Sequence, residues 1–135
     1  MLITMEKEFI PYEQALALKE LGFDAQCFSH YRDKESLIAC NQGIYGISYS
    51  DIEAPTKVIL APLYQQAFRW FREKYGLYSH VRESLAFDKT LEFVTQINGS
   101  YVNHGIEDKP INRFEIYEEA ELECLKKLIE ICKNN

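Results

Sequence analysis

The chain reads as an α+β domain in which three helices pack on a mostly antiparallel β-sheet, in the order α-β-β-α-β-β-α. Three observations predict it. Apolar residues recur at helical spacing in residues 11–21, 62–75 and 117–133. The segments between them alternate apolar, aromatic and β-branched residues with polar ones. An Asn98-Gly99 pair, between LEFVTQI and SYVN, marks a tight hairpin turn.

In the first helix, Ala15, Leu18 and Leu21 form the stripe. Pro11 suits the first turn, where its missing N–H costs nothing, and Gly22 is placed as a C-terminal cap with Phe23 folding back on the last turn. Residues 26–49 then give two or three antiparallel strands, QCFSHYR, SLIAC and GIYGISY, separated by turns at Asp33-Lys34 and Asn41-Gln42-Gly43. SYSDIEAPT, at 48–56, reads as a polar loop.

The central helix starts near Pro62 and stops before Gly76. Leu63, Tyr64, Ala67, Phe68, Trp70, Phe71 and Tyr75 share a broad face, opposite Gln65, Arg69, Arg72 and Glu73. A second β region covers Tyr78 to Arg82 and Leu91 to Tyr101, with a further short strand expected from Arg113 to Ile116 and a loop at 104–112. The last helix, Tyr117 to Lys133, aligns Leu122, Leu125, Leu128, Ile129 and Cys132. Its acids come first and its lysines last, which matches the helix dipole.

At 135 residues, with 47% hydrophobic and 27% charged residues, the chain is expected to be a single globular domain spanning 1–135 that folds without metal or disulfide. The net charge of −6 disfavours double-stranded nucleic acid and anionic membrane as partners. The acidic start MLITMEKEFIPYEQ lacks the features of a signal peptide and no segment is apolar enough to span a membrane, so a cytoplasmic location is expected. Cys27, Cys40, Cys124 and Cys132 are then read as free thiols.

Candidate chemistry is sparse. Glu118, Glu119, Glu121 and Glu123 fan around one helical turn and read as a solvated, dipole-matched face. Cys27-x-x-His30, with Cys40, lacks a fourth ligand, and alternation sends positions 27 and 30 to opposite faces, so no metal site and no cofactor are expected. His80 and His104 have no visible catalytic partner. No nucleophile elbow or phosphate loop is present, and the expected protein is not an enzyme.

What stands out is the stretch from Arg69 to Arg82, where four Lys/Arg face a single Glu inside an acidic chain. Arg69, Arg72, Lys74, His80 and Arg82 supply donors, and Trp70 and Tyr78 supply rings. Guanidinium groups pair with phosphate or carboxylate and stack on flat rings, so this mixture suits a nucleotide-type anion. The same arginines would equally serve as the water-facing edge of a core helix.

The blocks FIPYEQALALKELGFD, APLYQQAFRWFREKYGL and YEEAELECLKKLIEIC, about a third of the chain, resemble a family of small proteins encoded by bacteriophages and prophages, especially of Bacteroidetes-type hosts. That family has no assigned activity and carries over no catalytic residues. The resemblance implies an accessory protein in the host cytoplasm that counteracts host defence by sequestering a small signalling nucleotide, with a homo-oligomer compatible with such a site. The alternative is an interaction module whose acidic surface, Asp51, Glu53 and Glu118 to Glu123, binds and inhibits a host protein.

Overall fold

The computed structural model describes residues 5–39, 46–52, 57–102 and 113–134. It has three helices and two antiparallel sheets in the α-β-β-α-β-β-α order, with additional short strands. The chain forms two compact units, Met1–Ala67 and Phe68–Asn135, and the division falls within the central helix.

In the first unit, α1 (Tyr12–Glu20) ends as its sequence demands: Gly22 N–H donates to Lys19 and Phe23 N–H to Leu18, the paired bonds of a Schellman cap. Strands β1 (Ser29–Asp33), β2 (Ser36–Ala39) and β3 (Ile59–Ala61) form an antiparallel sheet in the order β2-β1-β3. The turn between β1 and β2 is held by the Asp33 carboxylate, which accepts from the Glu35 N–H at 2.9 Å and from the Ser36 hydroxyl at 3.2 Å. Ser29 and Tyr31 of β1 point inward, opposite the buried Ala61 and Ile59 of β3. Tyr31 Oη donates to the Ile10 carbonyl at 2.8 Å, and Ile10 N–H donates to Pro62 at 3.0 Å, so the segment before α1 is tied to both β1 and the end of β3.

The sequence pattern misses β3. Its three residues are buried on both sides, so they show no alternation, and three residues are too few to declare a period. Among the described residues of GIYGISY, Ile47 pairs with Cys27; Cys40 and the turn expected at 41–43 lie outside the described residues. Gly46 makes that pairing work. Its φ is +70°, and a Cβ there would lie 2.6 Å from the Cys27 carbonyl oxygen, closer than any real contact.

Helix α2 runs from Tyr64 to Tyr75. Tyr64, Ala67, Phe68 and Phe71 are buried as the pattern requires. Tyr75 is not: it is the last helical residue, one turn beyond Phe71, where the stripe emerges from the core. Leu77 N–H reaches back to the Phe71 carbonyl at 3.2 Å and closes the helix.

In the second unit, β4 (Ser79–Leu85) and β5 (Leu91–Ile97) form a long hairpin, extended by β6 (Ser100–Tyr101) and by β7 (Arg113–Phe114), both paired with β5. Asn98 and Gly99 take φ of 52° and 82°, the positive pair that a two-residue hairpin turn needs. Strand β4 continues to Leu85, past Arg82 where the sequence pattern was expected to stop.

Helix α3 (Tyr117–Lys133) lies against β4, β5 and β7. Ala120, Cys124, Leu125, Leu128, Ile129 and Cys132 are buried, and so is Glu121, which was expected among the solvated acids. At about 100° per residue, Glu121 falls in the middle of this stripe and Leu122 at its rim, half-buried.

Among the described residues no helix is long and apolar enough to cross a membrane.

Phe71→Ala, at a fully buried position, is expected to cost about 3 to 5 kcal/mol, read as a lower urea midpoint. Gly46→Ala is expected to lower the melting temperature, because the clash is with backbone and neither side can turn away.

Candidate functional site

The pairing register of the second-unit sheet decides which side chains can meet a ligand. Opposite residues of an antiparallel pair share a face. Ser79, Val81, Glu83 and Leu85 of β4 therefore share a face with Ile97, Thr95, Phe93 and Leu91 of β5. Helix α3 covers this side toward its Ser79 end, where Thr95 is fully buried and Phe93 meets Tyr117 edge-on with ring centres 5.5 Å apart, whereas Glu83, Leu85 and Leu91 at the far end are exposed.

The other face is open. Along it, His80 stands beside Gln96 and Gln96 beside Tyr101. In the next row Arg82 stands beside Val94 and Val94 beside Arg113. Ser84 and Glu92 form a third row. His80, Arg82 and Arg113 are exposed, as is Tyr101 at 44%, whereas Val94 between the arginines is 2% exposed and forms an apolar floor.

Contacts within the face fix its charged groups. The Arg82 guanidinium lies 5.6 Å from the Tyr101 ring centre, a cation–π arrangement. Arg113 donates to Glu92 at 3.3 Å and to the Ser84 hydroxyl at 3.4 Å, so it is anchored at one edge of the row. Among the described residues no carboxylate forms an ion pair with His80 or Arg82.

Of the seven residues expected to bind, three belong here. His80 and Arg82 lie on β4, and Tyr78, 62% exposed, precedes them on the same alternation. Its main chain is locked to Asn98: Tyr78 N–H donates to Asn98 Oδ1 at 2.8 Å, and Asn98 N–H donates to the Tyr78 carbonyl at 2.6 Å.

The four helical candidates divide into two groups around α2. Arg69 is exposed and bonds Glu73 at 2.8 Å, one turn on, which further favours its charged form; Arg72 lies toward the same side. Trp70 and Lys74 form a separate cluster, with the ammonium 5.2 Å from the indole centre and 5.8 Å from the Tyr75 ring. Trp70 also meets Tyr75 and Phe71 edge-on at 5.4 and 5.1 Å. Tyr75, assigned to the core by its spacing, belongs to this surface cluster.

Gln96, Tyr101 and Arg113 complete the open face and were not among the expected residues. A two-residue turn at Asn98-Gly99 fixes Ile97 opposite Ser100 and Gln96 opposite Tyr101, so the first two were accessible from sequence through the turn. Arg113 arrives by a long-range pairing that leaves no local mark.

Other chemistry is not assembled among the described residues. No group of three or more His, Cys, Asp or Glu is placed to hold a metal ion. His30 is half-buried on β1, and burial followed by the Arg32 charge lowers its pKa. Cys27, Cys124 and Cys132 are buried. The acid group on α3 is broken up, since Glu121 is buried and Glu123 pairs with Lys126 at 3.1 Å; Glu53 and His104 lie outside the described residues.

No family model, curated protein or solved structure matches this chain.

Burial pushes the Cys124 thiol up to about 11 from an ordinary 9.0. Between those values the unfolded chain binds fewer protons than the folded one. This group therefore stabilises fully below about pH 9, and its contribution declines as pH rises toward about 11. Urea midpoints across that range are expected to fall. At about pH 8, iodoacetamide is expected to spare Cys124 in the native protein and to modify it once urea has unfolded the chain.

Proposed function

We propose that this protein is a non-enzymatic binder of a small anionic, nucleotide-type ligand, and that the open face of the β4–β7 sheet is where it binds. The observation that carries this reading is the grouping of His80, Arg82 and Arg113 with Tyr101 on one exposed face of a chain whose net charge is −6. Elsewhere on an acidic surface a free anion is repelled; here it meets convergent donors. Arg82, already stacked on Tyr101, offers a guanidinium to phosphate while the ring offers a surface to a base. Gln96, between His80 and Tyr101, carries both a donor and an acceptor suited to a base edge.

The face supplies recognition rather than reaction: it has donors, a ring and an apolar floor, and its histidine is flanked by Arg82 and Gln96. The three sequence blocks resembling phage-encoded proteins support a setting in which binding alone is useful, namely sequestration of a host signalling nucleotide in the host cytoplasm. The α2 cluster of Trp70, Lys74 and Tyr75 is assigned to structure in this reading.

A thermal-shift screen against linear and cyclic nucleotides tests it. A ligand at a hundred times its dissociation constant is expected to stabilise the folded chain by about 2.7 kcal/mol. Arg82→Ala, at an exposed position, is expected to abolish the shift while leaving the melting temperature of the unliganded protein nearly unchanged. A panel without any shift overturns the reading. A shift that survives Arg82→Ala moves the site elsewhere.

A further inference from the structure

The open face does not stop at Arg113. At the far end of the hairpin, Leu85, Ala86 and Phe87 join Glu92 and Arg113 in lining an open cavity of about 400 Å³. Phe87, in the turn between β4 and β5, is fully exposed and is one wall of this cavity. A phenyl ring left entirely in water gives up the burial that usually holds a phenylalanine in place.

The spacing of the two ring stations limits what fits. Tyr101 shares the row of His80 and Gln96, and Phe87 lies in the turn two residues past the end of β4 at Leu85. At about 3.4 Å per residue, the five steps from His80 to Leu85 put the far end of β4 roughly 17 Å from the Tyr101 row, with Phe87 in the turn beyond it. Arg82 and Arg113 occupy the interval, with buried Val94 as the floor between them. Along the face the order is thus a ring, one row carrying both guanidiniums, and a ring.

Resting on the binding role proposed above, we infer that the natural ligand is a short single-stranded oligonucleotide segment of about three nucleotides rather than a mononucleotide. Unpaired bases stack on exposed aromatic rings of an antiparallel sheet, and their phosphates are met by arginines between the rings. A mononucleotide engages one ring station and leaves the other in water. A duplex hides its bases and cannot use either ring. The acidic remainder of the chain repels long nucleic acid, so the segment gripped is short or terminal.

Fluorescence anisotropy with a fluorescein-labelled tetranucleotide tests this, with unlabelled mononucleotide, tetranucleotide, duplex and polyglutamate as competitors. The tetranucleotide is expected to compete at least tenfold more strongly than the mononucleotide. Phe87→Ala is expected to weaken tetranucleotide binding about tenfold, equivalent to about 1.4 kcal/mol, and to leave mononucleotide competition unchanged. The exposure of Phe87 keeps that variant folded.

Equal competition by mononucleotide and tetranucleotide with no effect of Phe87→Ala overturns the inference while the small-ligand reading survives. Duplex or polyglutamate competing as well as the single strand also overturns it. No binding of labelled tetranucleotide, together with no thermal shift from any nucleotide, overturns both.

Discussion

Which side chains share the exposed face of the second-unit sheet depends on the register of β4 against β5. Seven consecutive pairs, from Ser79 with Ile97 to Leu85 with Leu91, set the two faces of the second-unit sheet. A slip by one residue would set Arg82 opposite Thr95 or Phe93, so that either the buried residues of β5 would turn to water or His80 and Arg82 would be buried against α3. Burial of unpaired cations in that way is far costlier than loss of a single apolar contact. The register is fixed from both ends. At one, the Asn98-Gly99 turn admits only one pairing, and the Asn98 side chain and N–H are spent on the Tyr78 main chain. At the other, Ala86 N–H donates to Thr90 at 2.9 Å and the Asp88 carboxylate accepts from Thr90 N–H at 3.0 Å.

That constraint explains why an acidic protein can hold a basic face. Helix α3 takes the apolar side of the sheet with Ala120, Cys124, Leu125 and Leu128, and this leaves His80 and Arg82 of β4 exposed on the other side. Arg82 and Arg113 lie two strands apart, on either side of Val94. Arg113 is held by Glu92 and Ser84, so its guanidinium is positioned before anything arrives. Preorganisation of this kind reduces the side-chain entropy lost on binding.

The helices were legible because their signals are local. Pro11 and Gly22 bracket α1, Pro62 and Gly76 bracket α2, and the apolar stripe of α3 sets its extent over Tyr117–Lys133. The Asn98-Gly99 hairpin was legible for the same reason. Strand β3 was not, because burial on both sides erases alternation over three residues. The candidate site was half legible. Tyr78, His80 and Arg82 came from the charge pattern, whereas Arg69, Arg72, Trp70 and Lys74 lie on a helix that turns its basic residues to different sides. A charge window along the chain takes no account of face, and a ligand responds only to what shares one.

The sequence by itself determined the element types, their order, and the turn that pairs Gln96 with Tyr101, since propensity, periodicity and positive-φ chemistry act over a few residues. Only the tertiary structure decided that the strands divide between two sheets, that Glu121 is buried, and that Arg113 stands across Val94 from Arg82. Each of these rests on pairing or packing between residues distant in the chain. Such contacts are chosen by the free energy of the whole unit, and no short stretch of residues carries them.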